Sequence, residues 1–324
     1  MRAATTDIAV GYMAGNRNAA FVAGGTTLVD LLKLNAMTAA ALVDINDLPL
    51  RRIEEVPGGG LRLGALARNS DVANDPRVKQ KYPVLSEALL SGASPQLRNM
   101  ATVGGNLMQR TRCPYFRDGY SACNKREPGS GCAALGGYTR SHAILGASER
   151  CIATFPGDMP VALLALDAVV LTRRADGTER TLPLANFYVS YGEDPAKETV
   201  LDHGELITAV ELPATRWLRH SAYVKVRDRA SFDFALASAA VALEVEDGSI
   251  KSARVALGGV ATKPWRSTLA EEALTGAAPE ERVFAAAAEG ALKEARAQKH
   301  NGFKIALAQR TLARALGAAA SKAA

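Results

Sequence analysis

Cys113, Cys123, Cys132 and Cys151 are all the cysteines of the 324-residue chain, and they fall in one stretch between Arg98 and Cys151. Soft thiolate ligands suit zinc or an iron–sulfur cluster, and four of them complete either shell without help. The intervals of 10, 9 and 19 residues contain neither the C-x2-C pair of a zinc ribbon nor the run of a small bacterial ferredoxin. Two disulfides in an exported protein, or four separate buried thiols, therefore stay open beside ligation. Local composition favours ligation. Between Arg112 and Cys132 the chain is rich in Gly, Pro, Asn, Arg and Lys, with few residues able to build a core, so something other than apolar burial must fix it. An iron–sulfur core held by four thiolates carries net negative charge, which Arg110, Arg112, Arg117, Lys125 and Arg126 would offset.

Two glycine-rich loops carry the other chemistry. In FVAGGTTLVDLLK, Phe21, Val22 and Ala23 read as a strand and Gly24 to Thr27 as a tight turn, with Leu28, Leu31 and Leu32 on the apolar face of a short helix. Such a turn gathers backbone N–H groups and hydroxyls around an anion, although glycines meeting a backbone constraint explain it equally well. It is neither a Walker A loop nor a G-x-G-x-x-G fingerprint. In ATVGGN, Gly104 and Gly105 permit close backbone approach, and Thr102 and Asn106 offer donors to phosphate or ribose. Two such loops in one domain suit a dinucleotide held from both sides.

The elements that position these residues alternate. ALVDIND reads as a strand, LRLGALARNSDVA as a strand entering a helix capped by Asn69 or Ser70, and Pro83 to Leu90 as a helix. FPGD makes a turn, VALLALDA a buried helix and VVLT a strand, with Asp158 at the helix mouth as an N-terminal cap or as an acceptor of ligand hydroxyls. ELITAVELP alternates as a half-exposed strand, and a domain boundary is expected near Pro213 to Trp217. Beyond it come YVKV, a strand in which Lys225 would ordinarily face outward, a hairpin through Asp247 and Gly248, and helices over Phe284 to Ala297 and the last segment. The pattern is α+β.

At 34.1 kDa, with 48% hydrophobic and 22% charged residues, the chain has room for two or three domains. Its formal net charge of +6 is matched by the segment 291–324, where Lys293, Arg296, Lys299, Lys304, Arg310, Arg314 and Lys322 face Glu294 alone. The remainder is balanced, which argues against a general nucleic-acid-binding surface. MRAATTDIAVGY lacks the apolar core of a secretory signal, and PVALLALDAVVLT is too short for a membrane span and holds Asp167. A soluble chain is expected, whose export would require a partner's signal.

Taken together, FVAGGTTLVDLLK, QLRNMATVGGNL, FPGDM and YVKVRDRASFDFA resemble the FAD-binding medium subunit of the xanthine dehydrogenase, or molybdenum hydroxylase, family. The stretch from TRCPYFRD through GSGCAALGG to CIATFPGDM resembles the branch formed by the bacterial three-subunit periplasmic aldehyde oxidoreductases, whose flavin subunit carries an extra [4Fe-4S] cluster. The resemblance implies a PCMH-type, vanillyl-alcohol-oxidase-like FAD domain over 1–214, in subdomains of about 1–56 and 57–214 with a cluster insertion at 107–151. A CO-dehydrogenase-flavoprotein-like domain would follow over 215–324. It also implies that Phe21, Val22 and the run Ala23, Gly24, Gly25, Thr26, Thr27 and Leu28 hold FAD at its pyrophosphate, with Thr102, Gly105 and Asn106 on the second side. Asp158 would hold the adenosine or ribityl part, and Lys225 would stand near the isoalloxazine carbonyl, where a cation favours reduced flavin. The four cysteines would ligate the cluster. At the first loop TTL stands where relatives often have TNL, and Thr27 still offers a hydrogen bond.

The implied activity is electron transfer, with no catalytic residue in this chain. A large molybdenum-cofactor subunit would oxidise an aldehyde, and a small subunit with two [2Fe-2S] clusters would pass electrons to FAD, from which a soluble acceptor takes them. The heterotrimer would lie in the periplasm, with the cytoplasm as alternative. Competing readings are another molybdenum hydroxylase flavin subunit, a stand-alone flavoprotein oxidase and a zinc-stabilised scaffold.

Overall fold

The computed structural model describes residues 1–192 and 194–323. Among these described residues there are three sheets. The first is the parallel pair β1 (Ala19–Val22) and β2 (Ala41–Asp44), joined through the helix Leu28–Lys33. The helix Thr6–Gly15, capped by the Thr5 hydroxyl on the Ile8 N–H at 3.2 Å, covers this pair with Ala9, Val10 and Met13.

The second sheet has β3 (Ile53–Glu55), β4 (Leu61–Gly64), β5 (Val169–Arg173), β6 (Glu179–Pro183) and β7 (Leu206–Leu212), in the spatial order β3-β4-β7-β5-β6 and antiparallel throughout. Its last strand in sequence thus lies at its centre. The expected subdomain join near residue 56 falls inside the β3–β4 hairpin. Short helices between Asn69 and Met100 pack on the sheet together with Asp158–Ala165, in which every residue from Met159 to Ala165 is buried. That explains the near-continuous apolar run there: no face of this helix meets water.

The third sheet, β11-β10-β9-β8, comprises β8 (Ser221–Val226), β9 (Ala237–Glu246), β10 (Ser249–Gly258) and β11 (Trp265–Arg266). Asp247 and Gly248, both at positive φ (51° and 70°), close the β9–β10 hairpin as its sequence predicts. Helices Thr268–Leu274, Glu281–Ala291 and Phe303–Ala323 back the sheet, the last through Ala308, Leu312, Leu316 and Ala319. The expected helix to Ala297 stops at Ala291. From there the chain is held by non-helical bonds, with the Arg296 N–H donating to the Ile144 carbonyl at 2.7 Å and the Asn301 side chain accepting from Gln298 N–H at 2.6 Å. Within the basic segment 291–324, Lys304 is fully buried, and Lys322 binds Glu87 and the Ser221 carbonyl, each at 2.7 Å.

The cysteine-bearing stretch has its own small core, in which Phe116, Ala134, Ile152 and Tyr191 pack with three of the cysteines. Its end is stitched to the third unit, because Ile144 and Leu145 both donate to the Val260 carbonyl and sit in that unit's core.

Candidate cofactor site

The two glycine-rich loops touch. The first is pinned by Asn46, whose amide donates to the Ala23 carbonyl at 2.9 Å while also binding Asp44 at 2.8 Å. Gly25 takes a φ of 73°, which a residue with a Cβ rarely adopts. A Cβ on Gly24 would collide with the Met100 carbonyl oxygen and stand 2.7 Å from its carbon, so only glycine lets the first loop lie on the backbone before the second. That second loop is not the expected turn. Val103–Leu107 is a short helix whose first turn is capped by Thr102, with the Gly105 N–H donating to Oγ1 at 3.2 Å.

Two adjoining cavities open between the loops. One, of about 300 Å³, is lined by Phe21, Ala23, Gly24, Gly25, Thr26, Thr27, Leu28, Thr102 and Gly105 of the expected set. The other, of about 630 Å³, is lined by Thr26, Thr27, Gly105, Asn106, Asp158 and Lys225. Thr26, Thr27 and Gly105 border both, so the two cavities lie side by side. Val22 lines neither and serves β1 instead.

Asp158 and Lys225, 67 residues apart, form an ion pair at 2.8 Å on the wall of the larger cavity, their side chains 10% and 3% exposed. The capping role considered for Asp158 is not taken: the N-cap position belongs to Gly157 and shows no side-chain hydrogen bond. Asp158 accepts instead from the Tyr223 hydroxyl at 2.6 Å, and burial holds the Tyr223 phenol protonated, well above its ordinary pKa. Lys225 also donates to the Ser91 carbonyl at 3.1 Å, so it is not the outward-facing lysine of a half-exposed strand. Because the two charges satisfy one another, the cavity wall here offers hydrogen-bonding groups of both signs without a net charge.

Three further features of the recess carry no obvious sequence signal. Asn69, 5% exposed, lines the larger cavity, and its side-chain oxygen has no hydrogen-bond partner. It is the first residue of the helix Asn69–Asn74, at whose N-cap position Arg68 makes no side-chain cap, so neither Asn69 nor Ser70 caps as expected. Arg112 and Arg117, from the cysteine stretch, also line this cavity and share Asp30 at 3.1 and 2.9 Å, leaving Arg112 Nε and Arg117 Nη1 without partners. Phe232 and Phe234 are half exposed at its mouth, with Arg112 lying 5.0 Å over the Phe234 ring. A ribityl- and phosphate-bearing ligand suits this lining: an orphaned buried acceptor matches a hydroxyl, and unpaired guanidinium N–H groups match an anion.

The cysteines converge as well. Cys113, Cys123, Cys132 and Cys151 line one cavity, and none forms a disulfide, so the disulfide reading falls. Cys123 and Cys132 are bridged antiparallel through the backbone. Buried Asn124 shapes the loop between them, accepting from Gly129 and Gly131 N–H groups at 3.1 and 2.9 Å and donating to the Arg150 carbonyl at 2.9 Å. Burial pushes the Cys113 thiol up to about 12 and that of Cys151 up to about 11, with neighbouring cysteines adding to both. The nearby cations are largely spoken for: Lys125 and Arg110 both pair with Glu198, and Arg126 ties down the carbonyls of Tyr115, Phe116 and Ser121. Among the described residues, no group of three or more His, Cys, Asp or Glu stands in position to hold a metal ion. The free space among the thiols is about 10 Å³, room for about one water, so any larger group must part them. A single ion needs its sulfurs at about 2.3 Å from one point. A cluster needs only one thiolate on each of several irons, and the donor set fits that chemistry.

Residues 1–215 match the family described as the FAD binding domain in molybdopterin dehydrogenase, and residues 221–319 match the CO dehydrogenase flavoprotein C-terminal domain. The chain belongs to the FAD-binding subunits of the molybdenum hydroxylases. It is 52% identical to the aldehyde oxidoreductase FAD-binding subunit PaoB of Escherichia coli (strain K12), over 94% of this chain and 92% of that one. It is 29% identical to the glyceraldehyde dehydrogenase medium chain of Sulfolobus acidocaldarius over 85% of this chain and 80% of that one. Among solved structures, carbon monoxide dehydrogenase from Hydrogenophaga pseudoflava superposes with a TM-score of 0.77 at 26% identity, covering 100% of this chain and 97% of that one. The α+β architecture of this FAD-binding subunit is therefore the expected one, an FAD-binding domain followed by a CO dehydrogenase flavoprotein C-terminal domain. No helix among the described residues is long and apolar enough to cross a membrane.

Proposed function

We propose that this flavin subunit serves a molybdenum-dependent aldehyde oxidoreductase, receiving electrons from the [2Fe-2S] clusters of a small partner subunit and passing them from FAD to a soluble acceptor. The carrying observation is the pair of adjoining cavities between the two glycine loops, with the Asp158–Lys225 ion pair on the wall of the larger one. Bound FAD supplies storage for two electrons that arrive singly. Around it, the backbone from Ala23 to Leu28 and the Thr102-capped first turn of the helix Val103–Leu107 would grip the pyrophosphate region. Asn69 and Asp158 accept from ligand hydroxyls, and Lys225 presents a cation to the side where reduction adds negative charge. Substrate oxidation would occur on a large molybdenum-cofactor subunit, so no side chain here acts as general base. The proposed division is 1–214 for the flavin domain and 215–324 for the C-terminal domain. We place the heterotrimer in the periplasm, exported with a signal-bearing partner, on the strength of the resemblance of the cysteine stretch.

The same proposal assigns Cys113, Cys123, Cys132 and Cys151 to a [4Fe-4S] cluster, which supplies one-electron redox capacity or a staple for the loop that carries it. Cys123→Ser tests both. Iron is expected to fall from about four per chain to under one while FAD stays bound. Slowed flavin reduction in a normally assembled trimer would assign the cluster to conduction, whereas lost assembly with normal reduction of any assembled fraction would assign it to structure. Undiminished iron in the variant contradicts the ligand assignment.

A further inference from the structure

We propose that His142 is the hydrogen-bond donor that tunes the proposed cluster, through the Cys113 sulfur. The inference rests on the reading that the four cysteines hold iron. His142 is 1% exposed, and its Nε2 lies 3.3 Å from Cys113 Sγ. The other ring nitrogen, Nδ1, is buried without a partner. A proton on Nδ1 would therefore be stranded, whereas a proton on Nε2 faces the sulfur, so the contact selects the Nε2–H tautomer once Cys113 is a thiolate.

The backbone that carries the ring is held from outside the cysteine stretch. The His142 carbonyl accepts from Lys304 Nζ at 3.0 Å and from Asn301 Nδ2 at 3.1 Å, both at the start of the final helix. Its N–H donates to the Thr139 carbonyl at 3.0 Å, and the Thr139 hydroxyl accepts from the His300 N–H at 3.0 Å. Lys304 reaches this position by burying its amine among carbonyls, including that of Gly259 at 2.5 Å, and burial lowers its pKa to about 7. So costly an arrangement fixes the backbone at His142 to the C-terminal domain. The C-terminal domain thereby sets the distance between one imidazole and one ligand sulfur.

An N–H···S bond grows stronger as negative charge accumulates on the cluster, so it favours the reduced state and raises the potential. No covalent bond is made or broken; the cluster gains one electron and the imidazole keeps its proton. The test is an EPR-monitored redox titration of this full chain purified without oxygen and without its partner subunits, as wild type, His142→Leu and His142→Gln, with iron quantified in each. Equal iron in all three is expected, with the reduction equilibrium of the Leu variant weakened about tenfold, ~59 mV for a one-electron couple, and substantially restored by Gln. Equal iron with equal midpoints overturns the inference alone, while a wild type without iron overturns the underlying reading too. Loss of iron in both variants would make His142 a ligand and overturn its role as donor. If only the Leu variant fails to load, Asn301→Ala, which loosens the His142 carbonyl and leaves the ring, must lower the midpoint. An unchanged midpoint there overturns the inference.

Discussion

Gly24→Ala is expected to produce a folded protein that loses most of its FAD. The new methyl group would meet the Met100 carbonyl oxygen and carbon, both backbone atoms that cannot swing aside, so the two loops lining the recess must separate. Overpacking of this kind costs about 1–3 kcal/mol, equivalent to roughly a ten- to hundredfold loss in FAD affinity. The neighbouring turn offers no relief, since Gly25 already holds a φ of 73°. The flavin-to-protein absorbance ratio after gel filtration, with circular dichroism as a control for folding, measures the effect. A folded variant that keeps stoichiometric FAD would show that the recess is not the flavin site.

The second large effect belongs to the Asp158–Lys225 pair. Lys225→Met leaves Asp158, only 10% exposed, with Tyr223 as its remaining partner and removes a donor from the Ser91 carbonyl. Stranding a buried charge costs about 3–5 kcal/mol. The double variant Lys225→Met with Asp158→Asn is expected to recover most of that loss, because no uncompensated charge remains. Urea unfolding of the flavin-free chain measures stability apart from cofactor binding. A single variant as stable as the wild type, or a double variant no better than the single, would show that the two groups are not energetically coupled.

The residues of the site were legible where chemistry is local. The glycine loops announce themselves through turn-forming residues next to apolar periodicity, and Asp247–Gly248 marks its hairpin because only a narrow set of residues tolerates positive φ at both positions. The cysteines could be grouped but not assigned, since their spacing matches no compact motif. What sequence concealed is long-range. Nothing near Asp158 indicates that its partner is a lysine on β8, nor does the apolar stretch DMPVALLA reveal that Asp158 at its start makes no cap to the helix N–H groups. The unpartnered oxygen of Asn69 is likewise invisible locally, because its residue type also suits an ordinary helix start. β7 occupies the centre of its sheet by pairing with two strands that precede it, a choice made by tertiary packing rather than by propensity. The helix that ends at Ala291 rather than Ala297 was overextended by an alanine-rich composition, whereas hydrogen bonds to Ile144 and within Gln298–Asn301 hold the chain after it.

The account predicts an unusual cofactor pair on one polypeptide: a flavin between the two glycine loops and an iron–sulfur centre among four cysteines, whose stretch of chain also supplies Arg112 and Arg117 to the flavin recess. The most direct test is quantitation of flavin, iron, acid-labile sulfide and zinc in the chain purified without oxygen. About one FAD, four iron and four sulfide per chain are predicted, with no zinc. A colourless protein with zinc at full occupancy and neither flavin nor iron would contradict it.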